Sequence, residues 1–142
     1  MIFNQQIHLF SCFAMCGLIW LIQLIHYPAY HYIDAAKFSD YQRFHTVTIT
    51  FLVGPLMTVE LITALLLLAD NPKSWGLIIN LGSVGAIWLA TLLLSVPAHN
   101  KLAFGYSYEV VQNLVHTNWI RTLIWSARSA VWIWILTVKG SN

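Results

Sequence analysis

Four apolar runs of about 20 residues fill most of this 142-residue chain, and they leave little freedom of fold. A helix rises about 1.5 Å per residue, so each run matches a hydrocarbon layer about 30 Å thick. Lipid offers no partner to backbone N–H and C=O groups, so such segments pair their own as helices. Composition agrees, with 58% hydrophobic and 8% charged residues and a mean hydropathy of +0.68; water-soluble domains carry about 25% charged residues. The runs fall at about 6–27, 46–69, 75–96 and 115–138. We read the chain as all-α, a single membrane domain over 1–142, with four transmembrane helices in an antiparallel up-down bundle.

The links follow from local chemistry. Pro28 is expected to end the first run and Pro97 the third, because proline removes a backbone donor. Pro55 lies inside the second run, where neighbouring helices can satisfy a kink. Asp34 or Ser39 is a candidate cap for the second helix and Ser107, in "YSYE", for the fourth. "DNPKS" is a turn, which makes the second and third helices neighbours. Gly76, Gly82 and Gly85 suggest close helix approach in the third. "MIFNQQIHLF" has neither a basic start nor a following cleavage site, so the first run reads as a span. A net charge of +2 without a basic run argues against nucleic acid. Cys12 and Cys16, four apart, read as packing residues.

An up-down order puts His26, His31, His45, His99 and His116, with all six tyrosines, at one end of the bundle. Only His8 lies at the other. Lys37, Arg43 and Lys101 at the histidine-rich end, against Lys73 and Lys139, make that end cytoplasmic by the positive-inside rule.

Charges within a bilayer usually face the bundle interior. Glu60 and Arg128 share a depth and are expected to pair, either as structural glue or in proton movement or substrate binding. Asn118, Arg121, Trp125, Arg128 and Trp132 fall within an arc of roughly 80° on the fourth helix. His45 and Glu60 are about 60° apart on the second. Gln23 and His26 share a face with Trp20, and His99 follows Pro97, one turn after Ser95. His116 points about 140° away from Arg121, and His31 is expected to be a solvated interfacial imidazole. His26, His45 and His99 are candidate ligands for a transition metal such as zinc, copper or iron, or for haem. The alternative is that they are hydrogen-bonded packing residues.

"SVPAHNKL", followed by "NLVHTNWIRTLIWSARS", resembles a group of small four-span membrane proteins related to anthrone oxygenases. The resemblance rests on Pro97, His99, Asn100, Asn118, Trp119, Arg121, Thr122 and Arg128, with "HYPAY", "YQRFH" and "GPLMTVEL" in the first half. It implies oxygen-dependent oxidation of a polycyclic aromatic without an organic cofactor. A fainter likeness, in Tyr27–Pro28 and Pro55 with Met57, is to small four-helix bacterial protoporphyrinogen oxidases. Their Asn-Glu-x-Pro segment is absent here.

Three functions are consistent with these residues. In a membrane oxidoreductase, a pocket at the histidine-rich end admits a lipophilic or aromatic small molecule. His26, His45 and His99 supply metal ligands or move protons, Asn118 and Arg121 polarise a carbonyl or hold an oxyanion, and Trp119 and Trp125 wall the pocket around a cofactor or substrate. In a proton-coupled transporter, Glu60 and Arg128 form the switch, and four spans require a homo-oligomer. In a non-catalytic subunit or lipid-binding scaffold, the polar groups only satisfy one another.

Overall fold

A computed structural model describes residues 2–140 and contains four long helical rods, with no strand among the described residues. The side chain of Lys139, placed above near one end of the bundle, lies outside the described ones. Rod α1 begins as an α-helix (Ile2–Leu21) and passes through a π turn (Ile22–His26). It then continues through Tyr27–Ala29 and a 3-10 turn, Tyr30–Tyr32. Rod α2 is one α-helix, Phe38–Asp70, unbroken at Pro55. Rod α3 joins Trp75–Ala90, a π turn (Thr91–Ser95) and Val96–Leu102. Rod α4 is Tyr108–Gly140. Rods α1, α2 and α3 are long and apolar enough to cross a membrane.

Neither Pro28 nor Pro97 ends its helix, which corrects the sequence reading. A proline inside a regular α-helix clashes with the carbonyl four residues back and forfeits a hydrogen bond. Both prolines instead follow a π turn. There Tyr27 N–H bonds back to Ile22 O and Val96 N–H to Thr91 O, five residues apart rather than four. The extra residue loosens the ladder where the proline needs room. It also changes the direction of the side chains on either side, as π turns at functional sites commonly do.

The other links differ in smaller ways. Asp34 Oδ1 accepts from Ala36 N–H at 2.8 Å, tightening the turn before α2, while neither it nor Ser39 caps the helix, whose N-cap position is Lys37. Ser107 does act at the start of α4, its Oγ accepting from Val110 N–H at 3.5 Å. Gly105, at φ 144°, turns the chain between α3 and α4, a conformation that a side chain would strain. The glycines of α3 do not bring helices together. A Cβ added at Gly82 or Gly85 would meet nothing within 4 Å, and one at Gly76 would meet only Ser74 Oγ at 3.9 Å.

Packing turns the usual distribution inside out. Rod α1 lies against α2 and α4, and α3 against α2 and α4. Between them are buried His8, Gln23, Gln42, His45, Glu60, Asn80, Asn118, Arg121 and Arg128, while Phe10, Leu24 and Phe51 face outwards. An apolar exterior around an interior that mixes an apolar core with buried charges suits surroundings that are themselves apolar.

Candidate functional site

The buried polar residues form two clusters. The first is built around Glu60. Arg128 Nη1 donates to Glu60 Oε1 at 2.6 Å, and Trp125 Nε1 donates to Glu60 Oε2 at 3.0 Å. Arg128 Nη2 also donates to Asn80 Oδ1 at 3.1 Å and to His8 Nε2 at 3.3 Å. His8 Nε2 is therefore an acceptor, so a neutral ring carries its proton on Nδ1. That proton meets Thr63 Oγ1 at 3.0 Å, and Thr63 in turn donates to Val59 O at 2.7 Å. No buried side-chain nitrogen or oxygen among these residues is left without a partner, and the two charges cancel.

His8, Asn80 and Thr63 escaped the sequence reading. Their side-chain partners in the cluster come from other helices, so no local spacing records the contact. The available signal was polarity itself: a lone His or Asn inside a membrane-grade run is costly unless it is paired.

The second cluster lies around Arg121, which is 5% exposed. Its Nη1 donates to Thr91 Oγ1 and its Nη2 to Tyr27 Oη, both at 3.3 Å, and Nη2 makes a further bond to Asn118 Oδ1. Asn118 Nδ2 continues to Gln23 Oε1 at 2.8 Å, and Gln23 Nε2 to Val115 O at 3.1 Å. From Tyr27 Oη the network reaches His99 Nε2 at 3.2 Å, and Gln42 Nε2 meets His99 Nδ1 at 2.9 Å. The His45 ring lies 5.3 Å from that of His99, and its Nδ1 is 2.8 Å from His26 Nε2. The two π turns position this cluster, since Gln23 and His26 come from one and Thr91 from the other.

Here the hydrogen bonds do not close. Four buried atoms of the cluster have no partner: Arg121 Nε, His45 Nε2, Tyr30 Oη and Gln42 Oε1. Tyr30 belongs to it through ring contacts of 5.4 Å with His26 and 5.8 Å with His45. A neutral imidazole has one donor and one acceptor, so the tautomers can be followed. If Gln42 donates to His99 Nδ1, the His99 proton points at Tyr27 Oη, which already accepts from Arg121, and the phenol proton is left over. If Tyr27 donates instead, His99 carries its proton on Nδ1, and Gln42 must present its amide oxygen, freeing its NH₂. In both cases donors outnumber acceptors. Among the described residues no carboxylate lies within ion-pair distance of Arg121; the ion pair found is Glu60–Arg128.

The structure therefore brings His26, His45, His99, Asn118 and Arg121 into one network, and Glu60 with Arg128 into the other. Trp125 does not wall the histidine cluster: it is fully buried and spends its N–H on Glu60. Trp119 lies outside both clusters. It is 36% exposed and stacks edge-on against Trp20, 5.6 Å away, because it sits about 100° round the helix from Asn118. His31 is not a free solvated ring. Nδ1 is 2.7 Å from Tyr106 Oη, and Nε2 is 3.1 Å from Gln112 Nε2. His116 is exposed, and Ser95 is buried.

The three histidines do not fit the metal or haem role. No group of three His, Cys, Asp or Glu side chains among the described residues has the geometry to hold an ion. His26 Nε2 and His45 Nδ1 face each other at 2.8 Å, a hydrogen-bond distance. Two nitrogens on one tetrahedral zinc lie roughly 3.3 Å apart, and axial haem ligands lie farther apart still.

Two clefts flank these clusters, and neither is lined by His26, His45 or His99. One, of about 510 Å³, runs along the α3–α4 seam past Ser83, Ile124 and Ala127, with Asn80 and Arg128 beneath it. The other, of about 350 Å³, lies between Pro97, Lys101, Glu109 and Asn113. The pocket expected at the histidine-rich end is thus a packed, hydrogen-bonded cluster, and the open space lies beside it. Fold and site define a helical chain of membrane type with a buried, donor-rich polar centre. No family model matches the chain, and no curated protein or solved structure is similar to it.

Proposed function

We propose that the chain is a multi-pass integral membrane protein in which α4 is the fourth span of an antiparallel up-down bundle. By composition α4 is the most polar of the rods, yet its Asn118, Arg121 and Arg128 are buried against the others. Outward it presents Ile120, Leu123, Val131, Ile133 and Leu136. Its lipid-facing side is therefore as apolar as a span requires.

Within this bundle the Arg121 cluster receives the oxygen-bearing end of a lipophilic small molecule and moves a proton from it. The observation that carries this reading is the set of four unpartnered buried atoms within one cluster of packed side chains. The His26–His45 pair is a two-ring relay. When His45 Nδ1 holds the shared proton, its Nε2 is a bare base; protonation there lets Nδ1 pass its proton to half-buried His26. Arg121, with its unpartnered Nε–H, holds the oxyanion that develops, and Asn118 positions its guanidinium.

The resemblance to anthrone oxygenase-like proteins extends this to an oxidoreductase using dioxygen. An aromatic-flanked CH₂ becomes C=O, one oxygen atom entering the carbon and the other leaving as water with both hydrogens. The residues here supply the first proton abstraction. The test is dioxygen uptake by the purified protein with a tricyclic anthrone. His45→Gln is expected to lower the rate by about 10²-fold or more, and Arg121→Gln by about 10²–10³-fold. Wild-type uptake equal to that of buffer overturns the reading, and elemental and optical analysis of the same sample reports metal or haem.

The Glu60 cluster supports a different role. Its closed hydrogen bonding favours a structural clamp over a proton-coupled transport switch, so this half of the bundle serves as scaffold for the other.

A further inference from the structure

We propose that the Arg121 cluster holds its ligand as a lipophilic monoanion, with the oxyanion on Arg121. This rests on reading that cluster as the ligand site.

The molecule contains its own control. Arg121 and Arg128 lie seven residues apart on one face of α4, and both are buried, at 5% and 6% exposure. Arg128 has a carboxylate, Glu60, against its guanidinium. Arg121 has only neutral oxygens, from Thr91, Tyr27 and Asn118, and its Nε–H is unpartnered. A buried cation without an anion is costly, and guanidinium binds planar oxyanions through parallel N–H groups. Tyr30 Oη is a further unpartnered atom that can donate, and the tautomers leave another donor in surplus. An added cation would meet repulsion here, and a neutral ligand would leave the charge unbalanced. A single negative oxygen group corrects both.

The probes are 2-naphthoate, its neutral methyl ester and the cationic 2-naphthylmethylammonium, titrated into the full-length protein in neutral detergent. Naphthoate is expected to saturate at one site and bind at least about tenfold tighter than the ester, with no saturable binding of the cation. Arg121→Gln should remove that preference, and Arg121→Lys should hold affinity within about fivefold, separating loss of charge from loss of fold. Equal affinity for acid and ester, or wild-type affinity in Arg121→Gln, overturns the monoanion. His45→Gln should bind naphthoate within about threefold of wild type while losing turnover. Naphthoate failing to bind while His45-dependent turnover persists overturns the monoanion and leaves the proton relay standing; loss of both overturns the site.

Discussion

Two buried arginines on one helix face have opposite surroundings. Arg128 is locked by Glu60, Asn80 and His8, and no buried polar atom of that network lacks a partner. Arg121 sits among neutral oxygens, in a cluster with four buried atoms left unpaired. Residue type, helix and burial are the same, so the difference lies in whether a carboxylate was supplied. A closed network stabilises the bundle, whereas an open one keeps binding capacity at some cost in stability.

The largest effect that separates the two clusters should come from Glu60→Gln, which leaves Arg128 buried without its counter-charge. Reversible unfolding in mixed micelles is expected to show a loss of about 3–5 kcal/mol. Most of that should return in Glu60→Leu/Arg128→Met, where both charges are gone. Arg121→Leu should act in the opposite sense, raising stability by about 1–3 kcal/mol as an unsatisfied buried group disappears. Thr63→Val, which removes the acceptor for His8, should cost about 0.6–1.7 kcal/mol in the same assay. Gly82→Ala and Gly85→Ala should change stability by less than about 0.5 kcal/mol, since both positions face open space.

Sequence periodicity is informative where the helix is regular. On α4 it groups Asn118, Arg121, Trp125, Arg128 and Trp132, and all five are buried. Applied to Trp119, the same arithmetic points away from that stripe, and it is the better guide there than aromatic character. Periodicity fails at Pro28 and Pro97, because a π turn adds a residue that no hydrophobic pattern records. It is silent on His8 and Asn80, whose partners come from other helices. His26 meets His45 of α2, and Tyr27 meets His99 of α3, but that these pairs would hydrogen-bond depends on packing alone.

The unfolding free energy of Arg121→Leu, measured beside its affinity for 2-naphthoate, tests the central claim most directly. The account expects stability equal to or above wild type, with affinity lower by at least about tenfold. A fall of several kcal/mol, matching Glu60→Gln, would contradict it and make the Arg121 cluster a second structural clamp.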